Sequence, residues 1–344
     1  MKLCVGTSKG IVLLDTARNG KPLMVLADPP SVWCMAQDCA DPGMIYAGSV
    51  DNAQIGSTRG RVTLARSSDG GRTWSDVTPS IARSEDVWAI ATAPDAPGEL
   101  FIGTSHARLL HSLDHGRTFR ECAEFLKLPG RERWTFPPPP HIPHVRTIVF
   151  DPHDPMTIYV GVEEGGIARS RDRGASFELL NSGLCEDVHC IAVDPRDRSR
   201  LYATTGAGFY TSSNGGGSWT KVKRGFYRSY AVPLFVAAGE SSHVYTAAAA
   251  SPPPFWSTGP AGADAVMFRS LDAGQSFEAL GDEVLPERGM AMRFKADPEN
   301  SGGFFAVTTD GCVIRTCETA RDATMIDATV ISERLPAAYD LVPL

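Results

Sequence analysis

Long apolar runs are missing from this chain: no stretch approaches the roughly 20 apolar residues of a membrane-spanning helix. The opening residues, MKLCVGTSKGIVLLD, lack both a long apolar core and a small-residue cleavage site. No signal peptide is therefore expected, and the expected compartment is the cytoplasm. Positive charge is also short, with 33 Lys and Arg against 40 Asp and Glu and a formal net charge of −7. No segment reads as a basic stripe, so nucleic acid is not an expected partner. Zinc-finger spacing is absent among the eight cysteines; three pairs, Cys34/Cys39, Cys185/Cys190 and Cys312/Cys317, lie five apart. With no export signal, these read as reduced, mostly buried thiols, with a soft-metal or redox role as the alternative.

What is plentiful is turn-forming sequence: 33 Gly and 25 Pro in 344 residues, the composition of many short strands. One phrase recurs five times: SSDGGRTW from Ser67, SLDHGRTF from Ser112, SRDRGASF from Ser170, SSNGGGSW from Ser212 and SLDAGQSF from Ser270. Its Asp (Asn214 once) is expected to accept hydrogen bonds from backbone N–H groups two or three residues on. Gly supplies a left-handed position, and the Trp or Phe re-enters the sheet packing. Recurrence at this period means an array of equal β-units.

Each phrase follows the same sequence of strands. Around the third copy these are Val145 to Asp151, Thr157 to Gly161, Gly166 to Ser170 and Phe177 to Leu180, all β-branched or aromatic runs bounded by turn residues. First strands near Val32, Val87, Val145, Val188, Tyr230 and Met290 give six four-stranded units, at about 31–78, 86–123, 144–180, 187–223, 229–280 and 288–331. The sixth has lost its phrase and keeps a worn remnant after Arg315. Residues 2–26 look like a unit without its first strand, and 335–344 look like a first strand alone. Joined, they make a seventh unit and remove exposed strand edges. The expected fold is all-β: one domain over 1–344, a seven-bladed β-propeller of four-stranded antiparallel blades closed by both chain ends.

The repeated phrases resemble the Asp-box (BNR) repeats of the sialidase-like, WD40-YVTN-BNR-like superfamily. That group also includes sortilin-type receptors and photosystem II assembly factors. The resemblance implies the fold and leaves function open, because the fold hosts unrelated activities. Sialidases resemble one another in three carboxylate-gripping arginines, a Tyr nucleophile with a Glu partner, and an Asp acid. Their early Phe/Tyr-Arg-Ile-Pro phrase has no counterpart here. Arg146, Arg228 and Arg288 start innermost strands, as any residue there would, so classical sialidase activity is not expected.

In a propeller, the loops entering the innermost strand and those between strands two and three share one face at the central channel. The most unusual such loop is Arg133-Trp-Thr-Phe-Pro-Pro-Pro-Pro-His-Ile-Pro-His-Val. Its four prolines predict an extended polyproline segment. This delivers His141 and His144 to an innermost strand, or plugs the channel with Trp134 and Phe136. His189 and Asp187 start the next blade, Asp86 and Trp88 match them in an earlier one, and His106, Glu163 and Glu164 lie in strand two–three loops. Imidazoles beside carboxylates suit a divalent transition metal (Zn, Mn, Fe or Ni), with His141, His144, Glu163, Glu164 and His189 as ligands; each is also an ordinary rim or turn residue. Insertions at 49–61 and 247–265 look like walls of the same mouth, the second carrying Phe255 and Trp256.

Two readings follow. In the first, the chain is a soluble, metal-assisted hydrolase or lyase acting on a small polar or sugar-like molecule. Asp86, His106, Arg146, Arg228 and Tyr230 then serve in catalysis, and Trp33, Trp88, Trp134, Phe136 and Trp256 form walls. No nucleotide cofactor and no membrane partner are expected. In the second, it is a non-catalytic binding or assembly propeller that docks a protein on its loop face. A glycosidase using a carboxylate pair is a further alternative.

Overall fold

In a computed structural model, the structure describes all residues except 17–20, 28–30, 52–61, 239–242, 257–261, 282–284, 286–288, 320–321 and 333–334. Seven four-stranded antiparallel sheets follow one another along the chain. The fold is the expected seven-bladed β-propeller. Six sheets are built from consecutive strands, with first strands Val32–Gln37, Val87–Thr92, Val145–Asp151, Val188–Asp194, Tyr230–Val236 and Ala291–Ala296. In the seventh, Ala338–Pro343 lies beside Lys2–Thr7, followed by Gly10–Asp15 and Leu23–Leu26, so the two ends share a blade.

Contacts group the chain into two compact units. One comprises Met1–Leu180 with Asp340–Val342 and Leu344; the other comprises Asn181–Tyr339 with Pro343. The first holds apolar clusters such as Phe101, Phe125, Trp134, Val145 and Ile158. The second is centred on Tyr202, Phe209, Phe226, Phe268 and Phe277.

Within the first unit, successive sheets approach at a recurring pair. The second strand of a sheet carries a glycine against which the first valine of the next sheet packs. A Cβ on Gly6 would lie 2.8 Å from Val32 Cγ1, one on Gly48 2.7 Å from Val87 Cγ1, and one on Gly103 2.3 Å from Val145 Cγ1. No larger residue fits at these places without moving the neighbouring sheet.

Immediately after that first residue comes a β-bulge. The register with the second strand shifts between Val32 and Cys34, Val87 and Ala89, Val145 and Thr147, Val188 and Cys190, and Ala291 and Arg293, with a wider irregularity between Ala231 and Leu234. A bulge adds a residue opposite one partner, bends the strand and re-aims a side chain. The extra residues are Trp33, Trp88, Arg146, His189 and Met292.

The repeated phrase forms the turn between the third and fourth strands. Ser67 Oγ donates to Asp69 Oδ1 and accepts the Gly71 N–H, while Asp69 accepts the N–H groups of Arg72 and Thr73 and the Thr73 hydroxyl. The accepted donors thus lie three and four residues on, one further than the sequence suggested. The reason is a pair of consecutive left-handed residues, Gly70 (φ 72°) and Gly71 (φ 79°), which lengthens the turn. His115, Arg173 and Ala273 adopt the same conformation in other copies, although they carry a Cβ. The sixth consecutive sheet, which lacks the phrase, is closed instead by a long hairpin, Val313–Thr319 with Asp322–Ser332.

Hydrogen bonds from Thr73 lead in holding the Asp69 carboxyl down at about 2, and Thr118 does the same for Asp114. A depressed folded-state value contributes stability that is present above the ordinary carboxyl value, about 4, and lost as pH falls toward 2. Asn214 makes an equivalent turn without titrating: its Oδ1 accepts the Ser218 N–H and its Nδ2 donates to the Ser218 hydroxyl. Asp69→Asn should therefore keep its neutral-pH melting temperature and lose part of the acid-induced fall between pH 4 and 2. Asp69→Ala should lose on the order of 1 kcal/mol at neutral pH. Thermal melts across pH check both; equal melts for the Ala and Asn variants would contradict them.

Candidate functional site

In the first unit, three bulges and one turn assemble an aromatic-lined polar cluster. Arg146 is buried, with its guanidinium carbon 5.4 Å from the centre of the Trp33 ring and 5.7 Å from that of Trp88. The two indoles lie 5.1 Å apart. His144, 1% exposed, stacks on Trp88 at 3.8 Å and takes the edge of Phe136 at 4.7 Å. Its Nε2 lies 2.9 Å from Glu163 Oε2, and Arg146 Nε is 3.4 Å from the same oxygen. Glu163 is buried and starts the turn to strand Gly166–Ser170, and its N–H donates to the His144 carbonyl. In a neutral His144 ring, the tautomer protonated at Nε2 donates to this carboxylate.

Asp86 is buried at the start of strand Val87–Thr92. Its Oδ1 accepts the Asp51 N–H at 2.8 Å, and its N–H donates to the Ser105 hydroxyl at 2.7 Å. It thus anchors the beginning of the 49–61 insertion, whose residues 52–61 lie outside the described residues, as does Arg288. Glu164 takes a left-handed conformation (φ 54°) in the turn after Glu163. Trp134 packs on Phe125 at 5.6 Å and belongs to the apolar core of this unit.

The polyproline expectation is corrected. The segment 137–141 turns rather than extends, since the His141 N–H donates to the Pro138 carbonyl at 3.0 Å. His141 is exposed, with φ 64° and Nδ1 2.9 Å from the Phe136 carbonyl. His141 is thus tied to the loop backbone and His144 to Glu163. Local hydrogen bonding, available once the loop bends, outweighs proline's preference for extension.

His106 belongs to a group that sequence reasoning had only partly named. Its Nδ1 is 3.6 Å from Glu85 Oε1, and Arg108 Nε is 2.9 Å from the same oxygen. Thr104 donates its hydroxyl to Glu85 Oε2 at 2.5 Å. Burial raises the Glu85 carboxyl above its ordinary value, against the opposing pull of Thr104, Arg108 and His106. The available signal was the matched Glu-Asp-Val at Glu85 and Glu186, of which only the Asp had been singled out.

In the second unit, His189 is buried, with Nδ1 2.6 Å from the Ala231 carbonyl and Nε2 3.2 Å from Asp187 Oδ1. The Tyr230 ring lies 4.5 Å from His189, and Trp256 stands edge-on to Tyr230 at 5.8 Å. Arg228 pairs with Asp264 at 2.8 Å. Part of the 247–265 insertion, 257–261, lies outside the described residues.

No family model matches the chain. A curated xyloglucanase of Hypocrea jecorina (strain QM6a) is 26% identical over 255 residues, which is 72% of this chain and 26% of that protein. The chain thus spans about a quarter of the length of this curated relative. Among solved structures, an ancestral GH74 enzyme aligns with a TM-score of 0.66 at 13% identity, over 87% of this chain and 38% of that one. A putative 6-phosphogluconolactonase from Bacteroides uniformis aligns with a TM-score of 0.62 at 14% identity, over 99% and 98%. At these identities the structural likeness speaks for the propeller fold.

The Glu85 shift has a definite sign. A carboxyl whose folded value is raised binds its proton more readily in the folded state. Stability therefore falls as pH rises from the ordinary value, about 4.3, through the folded one. Glu85→Gln should melt at or above the wild-type temperature at pH 7.5, and the difference should shrink as pH falls toward 4. A variant that melts lower at pH 7.5 by several degrees would show that the Arg108 pairing outweighs desolvation.

Proposed function

We propose that the chain is a carbohydrate-directed hydrolase, acting on a neutral polysaccharide of the xyloglucan type at the first-unit site. The observation that carries this reading is the set Trp33, Trp88 and Phe136 around a buried Glu163 gripped by His144 and Arg146. Aromatic faces suit the apolar faces of sugar rings, and a few convergent polar groups fix orientation. Similarity to a xyloglucanase supports the substrate class.

Glycoside hydrolysis needs two carboxyl groups, one holding a proton and one ionised. Environments that push two carboxyls apart assign the roles. Burial biases Glu85 toward its protonated form, which suits the acid. Glu163, facing a guanidinium, suits the carboxylate that acts as base or nucleophile. Asp86 and His106 flank the acid, and the part-exposed Trp33 and Phe136 hold the ring.

Incubation of the purified chain with soluble xyloglucan should release new reducing ends. Glu163→Gln should cut the rate by about 100-fold or more, with the melting temperature reported alongside. Absence of hydrolysis by the wild type would overturn the reading. Binding without hydrolysis would favour the non-catalytic alternative.

A divalent transition metal at the same residues is a separate proposal, supported by the donor chemistry of imidazole beside carboxylate. Metal analysis of purified protein should find about one ion per chain, lost in His144→Ala. Metal below a tenth of that level, or unchanged by the substitution, would remove the ion from the mechanism.

A further inference from the structure

Glu85 meets different partners on its two oxygens. At Oε2 stands the Thr104 hydroxyl, 2.5 Å away, and the same hydroxyl lies 2.9 Å from the Ser105 carbonyl. A hydroxyl carries one hydrogen and two lone pairs. When Glu85 is ionised, that hydrogen goes to the carboxylate. When Glu85 is protonated on Oε2, it donates to the hydroxyl, which turns its own hydrogen to the Ser105 carbonyl. Both states are thus hydrogen-bonded at Oε2, and the balance between them falls to the charges on the other side of the carboxyl.

Three basic side chains and two acids share that neighbourhood. His106 Nδ1 is 3.6 Å from Glu85 Oε1, beyond hydrogen-bond reach. His106 and Ala107 both hold left-handed conformations (φ 63° and 48°), and Arg131 Nη2 donates to both their carbonyls, at 2.7 and 3.2 Å. Arg131 is thus occupied in fixing the turn, and Asp86 turns to the Asp51 N–H at 2.8 Å. Arg108 Nε lies 2.9 Å from Glu85 Oε1 without the alignment of a hydrogen bond, whereas its Nη1 donates to Glu121 Oε1 at 2.7 Å. The guanidinium is therefore aimed by Glu121, and the buried Glu85 receives its charge but not its N–H. Glu121 stands across from Leu110, at a register position that holds Leu179, Lys221 and Ala279 in three other sheets. In a fourth, Asp76 stands there and pairs with Arg83. An acid gripping Arg108 is thus particular to this sheet rather than a feature of the repeat.

We infer that Glu121 is a positioning residue that governs the proton on Glu85: by holding Nη1 of Arg108, it keeps the guanidinium from closing onto Glu85 as an aligned pair. An aligned guanidinium–carboxylate pair favours the ionised acid far more than charge at a distance does. Without Glu121, Arg108 is free to turn its N–H groups onto Glu85 and draw off the proton. The inference deepens the hydrolase reading and rests on it only for the role of Glu85 as acid; control of the Glu85 proton is measured without any substrate.

The test titrates the Glu85 carboxyl in the full chain by carbon-13 NMR with labelled glutamate, the signal being assigned by its loss in Glu85→Gln. Glu121→Ala should weaken proton binding at Glu85 about tenfold, and Arg108→Ala should strengthen it. In the Arg108→Ala background, Glu121→Ala should add no weakening, because Glu121 acts through Arg108. Glu121→Gln, which keeps the side chain's size and drops its charge, is titrated in the same way if the alanine variant melts low. An unchanged Glu85 titration would overturn the inference. Equal weakening with and without Arg108 would also overturn it, by showing that Glu121 acts through its own charge. With xyloglucan as substrate, the alkaline limb of the pH–rate profile should move to lower pH in Glu121→Ala, since the acid must hold its proton to act. No hydrolysis by the wild type, with the titration shifted as expected, would keep the inference and overturn the hydrolase reading.

Discussion

The contact on which the first-unit site depends is the one between a valine and a missing side chain. Val87 packs where Gly48 has no Cβ, and Val145 packs where Gly103 has none. Each contact fixes the first residue of a strand against the preceding sheet. The bulge that follows immediately then has little freedom in where it aims the next residue. Trp33, Trp88 and Arg146 are the side chains so aimed, and the cation–π contacts of Arg146 with both indoles follow from that placement. The backbone device recurs while the side chain on it varies, so chemistry can change at this position with little disturbance to the sheet.

The phrase that defines the repeat does a different job. Its serine, aspartate and threonine satisfy one another and the turn's N–H groups within a few residues. Such a turn is stabilised largely within itself, and it also meets a neighbouring sheet, as where Arg66 donates to the His115 carbonyl. Two of the seven sheets lack it, and the one built from consecutive strands shows what the turn replaces. There the last two strands lengthen to seven and eleven residues, and ladder hydrogen bonds stand in for the side-chain bonds. The phrase therefore identifies the architecture while remaining silent about the site.

That division explains how much could be read from the chain. Strand order and the sharing of one blade by the two ends were legible, because each repeat spells its own boundaries with Val, Gly and Asp-Pro. The match of Trp88 with His189 at one repeat position was also legible. The bulge that makes this position special was not, since a single extra residue leaves no mark on the hydrophobic pattern. Pairings across strands were hidden for a similar reason: nothing in the sequence near His144 says that Glu163, nineteen residues on, will meet its Nε2. The proline loop misled because composition predicts a local preference, whereas the bend between Phe136 and His141 is set by hydrogen bonds among particular residues. Glu85 escaped because its character comes from burial beside Thr104 and Arg108.

Glu85 and Glu163 are both buried glutamates, and their surroundings treat them differently. Burial costs any carboxylate part of its hydration, and only close partners offset that cost. Glu163 has an imidazole and a guanidinium on one oxygen, both held in place by aromatic packing. Its ionised form therefore meets groups that need no reorganisation. Glu85 shares Arg108 with Glu121, since Arg108 Nη1 lies 2.7 Å from Glu121 Oε1. A cation divided between two carboxylates offsets less of the desolvation of either, consistent with the upward shift of Glu85. The difference between the two glutamates' surroundings thus lies in how each cation is shared, a property of pairing that carries no mark in residue type.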